Sequence, residues 1–298
     1  MTRRLLALLC VLMLAAASCG SDSETSTADD ATDEAATSTS EPDSGSTTTA
    51  APATSTEAPA PTEAPTTTVA AETLRIVVAN DDGVGAPGID ALAVRLGTLE
   101  NVEVVIVAPA EERSGSGGQV TGGPVDTTDA TTASGLEATA VDGFPADAVV
   151  WALDNIEPPP HVVVSGSNSV QNIGPLQAVS GTVGAARQAA QLGVPGVAVS
   201  QGLADPVDYA ASVDAAVEWI ETHRDEYLAG EVTLFSINAP TCPEGTQGVI
   251  EVPWGPEWND RDGEVDCDSD LEVLTDDIDA FLNGWTSISE LPIENPEA

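Results

Sequence analysis

Residues 74–96 read LRIVVANDDGVGAPGIDALAVRL: an apolar run, a glycine-bearing turn, then apolar residues at helical spacing. An uninterrupted apolar strand followed at once by a helix suits a parallel sheet covered on both faces, since neither strand face meets water. The turn carries Asn80, Asp81, Asp82 and Gly83. Adjacent carboxylates repel each other unless water, hydrogen bonds or a cation screens them. Taken alone, the pair is either a solvated turn or a metal site.

The alternation repeats downstream. Strand patterns fall at 102–109, 161–166, 196–200 and 231–238, and helical patterns at 89–99, 145–156, 180–193 and 208–224. Pro145 stands at a helix start and Gly193 at a helix end, where each residue type belongs. Glycine and threonine crowd residues 115–143, which predicts a β-hairpin excursion. The segment after Cys242, rich in Pro, Asp and Trp, reads only as irregular or β structure. The fold class is therefore α/β, a Rossmann-like, mostly parallel sheet with helices on both faces.

Composition divides the chain into three blocks. Residues 1–18 pair the basic start MTRR with the apolar run LLALLCVLMLAAA, too short to span a bilayer and right for a signal peptide. The run leads through AASCG to Cys19, which resembles a bacterial lipobox whose cysteine is lipidated; an ordinary secretory signal is the alternative. Residues 19–72 follow, with eleven acids between 20 and 72 and no Lys, Arg or aromatic residue there. Such a segment buries too little apolar surface to offset its ordering entropy. As a flexible coil it would span about 40 Å. Residues 73–298 hold the α/β domain. The expected location is outside the cytoplasm, on the outer face of a bacterial cytoplasmic membrane, with the lipid anchor as the only membrane contact.

The domain sets six arginines against 38 acids, and the chain has no lysine. That charge excludes nucleic-acid binding through a basic face, and an anionic substrate would need a locally bound cation. Cys242 and Cys267 are candidates for a disulfide in an oxidising compartment, two free buried thiols being the alternative. His161 and His223 are too isolated to hold zinc.

In open α/β sheets, ligands bind beyond the carboxyl ends of the strands. This rule gathers Asn80, Asp81 and Asp82, then Ser114 in APAEERSGSGG, Asn168 and Asn172 in VSGSNSVQNIG, and the helix opening Ser180-Gly181-Thr182. Hard oxygen ligands of this kind suit Mg²⁺ or Mn²⁺, with Ca²⁺ also admitted. The helix start offers backbone N–H groups to a phosphate. Together these residues read as metal-assisted phosphate-ester chemistry. Glu111, Glu112 and the acidic run 260–279 read as solvated surface.

LRIVVANDDGVGAPGIDALAVRL, VVAPAEERSGSG, VVVSGSNSVQNIG, VSGTVGAARQAAQLGVPGVAVS and FSINAP resemble, in order, the motifs of the SurE survival-protein family of 5′/3′-nucleotidases. The likeness runs from about residue 73 to 240, and AFLNGWTSISEL (280–291) resembles the family's closing strand. The resemblance implies a metal-dependent phosphatase acting on nucleoside 5′- and 3′-monophosphates. It puts the metal ligands on Asp81, Asp82, Ser114 and Asn168. Asn80 and Gly83 complete the first motif, and Asn172, Ser180, Gly181 and Thr182 surround the phosphate. Asp81 and Asn172 become the catalytic residues, with Asp81 either base or nucleophile. Gly85 replaces the family's usual histidine, and NSVQN replaces a glycine-bearing loop. The shorter, more acidic C-terminal part leaves homodimer formation open. A non-catalytic nucleotide- or metal-binding lipoprotein on the same scaffold is the alternative reading.

Overall fold

The structure, a computed structural model, describes residues 72–259, 261 and 263–295. The signal-like start, Cys19 and the acidic tether up to residue 71 lie outside the described residues. Among the described residues no helix is long and apolar enough to cross a membrane.

The strands are β1 (Leu74–Ala79), β2 (Val102–Pro109), β3 (Thr127–Thr131), β4 (Glu137–Val141), β5 (Val162–Asn168), β6 (Gly196–Gln201), β7 (Leu234–Ala239), β8 (Val249–Glu251) and β9 (Thr286–Glu290). They form one sheet in the order β3-β4-β2-β1-β5-β6-β7-β9-β8. The six strands from β4 to β7 are mutually parallel. β3 runs antiparallel to β4, which makes the expected hairpin. β9 closes the other side antiparallel to β7, with β8 parallel beyond it.

The helices are α1 (Pro87–Leu96), α2 (Pro145–Asn155), α3 (Gly181–Gln191), α4 (Ala210–Thr222), α5 (Arg224–Ala229) and α6 (Asp277–Leu282). Strand residues alternate between two apolar layers, as a period of two requires. Leu74, Ile76 and Val78 share a cluster with Ile89, Leu92 and Leu96 of α1 and Val213, Ala216 and Ile220 of α4. Val77 and Ala79 point the other way, into Ala148, Val149 and Ala152 of α2 and Ala185 and Ala189 of α3. Both faces of β1 are thus covered, which explains why its sequence shows no polar alternation.

The C-terminal part is more regular than its composition suggests. Residues 277–282 form a helix where irregular or β structure was expected, capped by Asp276, whose side chain accepts from the Asp279 N–H. Six residues and a heavily acidic flank hide that helix from any periodicity argument. The Asp276 carboxylate also pairs with Arg261, as does Asp279. Cys242 and Cys267 are joined in a disulfide across 25 residues.

The sheet has its topological switch between β1 and β5. From β1 the chain crosses through α1 to β2 on one side, while β5 proceeds through α3 to β6 on the other. Loops leaving β1 and β5 therefore part in opposite directions and open a crevice at their carboxyl ends. Asn80–Asp82 and Asn168 stand on its two rims.

Candidate metal and phosphate site

β1 stops at Ala79, and the next three residues turn under the site. Asn80 is fully buried, and its Nδ2 donates to the Gly83 carbonyl at 2.8 Å. Gly83 has φ +96°, and a Cβ there would lie 3.2 Å from the Glu111 backbone, so the turn needs glycine. The Asn80 Oδ1 is buried without a partner.

Asp81 is 3% exposed. Its Oδ1 accepts from the Thr182 hydroxyl at 2.6 Å, and its carbonyl accepts from the Arg113 N–H at 2.7 Å. Burial raises its pKa, against the lowering effect of the Thr182 hydroxyl. Asp82 is half-buried, and its Oδ2 accepts from the Ser169 N–H at 3.3 Å. Burial first, and then the neighbouring Asp81 charge, push Asp82 up to about 6. Screening of the paired charges by protein groups is therefore incomplete: both carboxyls sit above their ordinary range, which a bound cation would reverse.

These bonds bring the loops that carry the four anticipated ligands together. Arg113, bonded to Asp81, directly precedes Ser114, and Ser169, bonded to Asp82, directly follows Asn168. Asn168 ends β5 after a register shift against β6, and its Nδ2 donates to the Val170 carbonyl at 2.6 Å. That leaves the amide oxygen as the atom that could ligate a cation. Ser114 is exposed, and its amide donates to Glu112 Oε1 at 2.6 Å.

The helix opening meets the Asp81 carboxylate. Ser180 caps α3 by accepting from the Val183 N–H at 3.1 Å. Gly181 packs so closely that a Cβ would lie 2.7 Å from Asp81 Cβ and 2.9 Å from both Asp81 Oδ2 and Ser116 Oγ. Thr182 spends its hydroxyl on Asp81, so its side chain supports the carboxylate rather than facing a ligand alone. Asn172 is held from two strands. Its N–H donates to Asn238 Oδ1 at 2.7 Å, and its Nδ2 to Ser200 Oγ at 2.9 Å.

Several participants escaped the sequence reading. Glu112, exposed as its reading as solvated surface expected, nevertheless raises the pKa of both aspartates from the edge of the site. The Ser114 hydroxyl and amide hold Glu112 itself below the usual carboxylate range. Tyr209 faces Asp82: burial, then that charge, raise its phenol pKa. Asn238 lies in the FSINAP motif and Ser200 near the end of β6, so strand-end position was their available signal. Ser116, two residues past Ser114, carried none.

A divalent cation fits this set. The donors are two carboxylates, an amide oxygen and a hydroxyl, all hard, and Asn80, whose Oδ1 is buried without a partner, directly precedes Asp81. Among the described residues no group of three or more His, Cys, Asp and Glu side chains could hold a metal, which argues against a soft-ligand or all-carboxylate centre.

Fold and site together define a doubly wound α/β protein with an acidic site at the switch point and a helix N-terminus facing it. The family Survival protein SurE matches residues 76–254, and the chain belongs to that family. It is 38% identical over 178 residues to the 5′-nucleotidase SurE of Symbiobacterium thermophilum, covering 58% of this chain and 69% of that protein. It is 34% identical over 191 residues to the 5′-nucleotidase SurE of Methanopyrus kandleri, covering 60% and 70%. The crystal structure of the SurE protein from Aquifex aeolicus superposes with a TM-score of 0.61 at 26% identity, over 74% of this chain and 94% of that one.

Proposed function

We propose that this chain is a metal-dependent phosphomonoesterase that converts nucleoside monophosphates and water to nucleoside and phosphate. The observation that carries the reading is the stitching of Asp81 and Asp82 to the Ser114, Asn168 and Thr182 loops across the switch point. Asp81, Asp82, Ser114 and Asn168 would hold the ion, for which Mg²⁺ or Mn²⁺ is the best match. When bound, the ion polarises a phosphoryl oxygen and lowers the pKa of water. The protein's own groups do the rest. The N–H groups at the start of α3 receive the phosphate oxygens, with the helix dipole behind them. Asn172, fixed by Asn238 and Ser200, presents its amide beside them. Thr182 engages Asp81 Oδ1, leaving Oδ2 toward the helix start, where it takes a proton from the attacking water or attacks phosphorus itself. In the first course the water oxygen bonds to phosphorus as the P–O ester bond breaks and the leaving nucleoside oxygen gains a proton. In the second the ester bond breaks as an aspartyl phosphate forms, and the leaving oxygen takes a proton from solvent. Water then hydrolyses the aspartyl phosphate to release phosphate and free Asp81.

The finer assignments rest on the sequence. Action on both 5′- and 3′-monophosphates follows the family resemblance. Lipidation of Cys19 and display on the outer face of the cytoplasmic membrane follow the AASCG segment and the charged tether. Phosphate release from 5′-AMP, 3′-AMP and p-nitrophenyl phosphate, with and without Mn²⁺ or Mg²⁺, tests the activity. Release that needs neither metal nor the carboxylate lost in Asp81→Asn would refute it. For the anchor, membrane association that survives Cys19→Ala rules out lipidation at that residue.

A further inference from the structure

Next to the phosphate site lies a cavity of about 430 Å³ that the proposed reaction does not use. Its walls are the loop carrying Ser116, Gly117 and Gln119 and the face of α3 carrying Arg187, Gln188 and Gln191. Two features mark it. Arg187 is 6% exposed, and among the described residues its guanidinium makes one hydrogen bond, Nε to the Pro292 carbonyl at 3.4 Å, and no ion pair. Ser116 Oγ is buried without a partner.

A buried cation with one long hydrogen bond among the described residues is costly. It stands out here because acids are abundant and every other described arginine has a charged, histidine or paired carbonyl partner, although the Arg113 Nε is itself buried without one. Arg95, Arg113 and Arg261 sit in ion pairs, Arg75 faces His161, and Arg224 donates to the Glu100 and Asn101 carbonyls. The Arg187 guanidinium and the unpartnered Ser116 hydroxyl thus share one cavity and suit the same ligand, an anion bearing several acceptor oxygens.

Position narrows the ligand. The site where a Gly181 Cβ would stand is 2.9 Å from both Ser116 Oγ and Asp81 Oδ2, so Ser116 borders both the cavity and the phosphate site. Arg187 is six residues along α3 from Gly181, a rise of about 9 Å, shortened by the backward lean of helical side chains. A second phosphate linked directly to the first falls short of that span, whereas one on the far side of a ribose reaches it.

We propose that this cavity is a second anion subsite, where Arg187 and Ser116 take one phosphate of a nucleoside 3′,5′-bisphosphate while the other occupies the reaction site. The inference deepens the phosphatase reading and rests on it. Burial lowers the Arg187 pKa from its high ordinary value, and a phosphate in the cavity would oppose that shift.

The test compares adenosine 3′,5′-bisphosphate with 5′-AMP in the metal-loaded full chain. A charge-assisted contact predicts a kcat/KM ratio favouring the bisphosphate by about ten-fold, falling to about one in Arg187→Gln and partly restored in Arg187→Lys. Calorimetric titration of the bisphosphate into metal-free protein should show a dissociation constant about ten-fold weaker in Arg187→Gln. Hydrolysis of AMP with ratio and affinity unmoved by Arg187→Gln overturns the subsite and leaves the phosphatase reading intact. No hydrolysis of either compound, with the affinity loss present, upholds the subsite and removes that reading. A preference for adenosine diphosphate over the bisphosphate overturns the ligand class. Should Arg187→Gln fail to fold, Ser116→Ala gives the same comparison without removing a charge, and an unchanged ratio there also defeats the proposal.

Discussion

The Thr182 hydroxyl donates to Asp81 Oδ1 at 2.6 Å across 101 residues of sequence. This bond joins the end of β1 to the start of α3 and fixes which carboxylate oxygen faces the helix opening. It also lowers the pKa of a carboxyl that burial raises.

Thr182→Val keeps the shape and removes the donor, leaving a buried carboxylate oxygen unpaired. Partners of metal ligands typically contribute ten- to a hundred-fold, so kcat/KM for 5′-AMP and metal affinity should each fall by about that factor. The stability loss should be about 1–3 kcal/mol, the cost of one unsatisfied buried group. Metal titration and phosphate release on the same sample check both, and Thr182→Ser should recover most of the loss. A change of under about two-fold in metal affinity would show that Asp81 is positioned without this bond.

Gly181→Ala separates function from stability. Gly181 is the first residue of α3, where helix propensity counts for little, and an alanine Cβ there would press on Asp81 Cβ, Asp81 Oδ2 and Ser116 Oγ, all side-chain atoms of the site. The expected outcome is a melting temperature within a few degrees of the parent, with kcat/KM down about a hundred-fold or more, as misplacement of reacting groups by an ångström implies. Equal loss of both quantities would mean that the crowding is relieved by moving the helix rather than the carboxylate.

How much of this was visible in the sequence depends on how local each signal is. β1, the following NDDG turn and α1 form one continuous stretch, and apolar runs covered on both faces are readable without a partner strand. Asp81, Asp82, Ser114 and Asn168 could be proposed from the sequence because strand-end position marks ligand-bearing loops in this architecture. Ser116 and Glu112 were not, and Asn238, though it stands near a strand end, shows its role only when segments far apart in sequence meet, as when it reaches Asn172 across 66 residues. Helix α6 was hidden for the opposite reason: six residues are too few for a period to declare itself.

The Cys242–Cys267 disulfide closes a loop of 25 residues that is otherwise short of regular structure. In the chain-entropy description such a cross-link stabilises by about 3–4 kcal/mol. Reduction, or Cys242→Ala with Cys267→Ala, should lower the unfolding free energy by about that amount in urea titrations. A loss below about 1 kcal/mol would mean that the Arg261 pairs with Asp276 and Asp279 already hold the segment.

Asp277 gives the fold a pH dependence of its own. Its side chain is fully buried, with Oδ2 accepting from the Gly174 N–H at 2.8 Å and Gln177 Nε2 at 3.1 Å, and Oδ1 from the Gly255 N–H at 2.8 Å. Burial nevertheless outweighs those donors and pushes its pKa up to about 6 from an ordinary 3.8. The folded state therefore holds this proton more tightly than the unfolded chain does. The group's contribution to stability is complete below about 3.8 and is lost as pH rises through about 6. A shift of about two units corresponds to about 3 kcal/mol. In urea titrations from pH 4 to pH 7, the parent should lose stability more steeply than Asp277→Asn, by up to that amount, even though the asparagine lowers stability throughout by placing an N–H₂ among donors. Parallel pH profiles for the two proteins would mean that the three donors keep Asp277 ionised across the range.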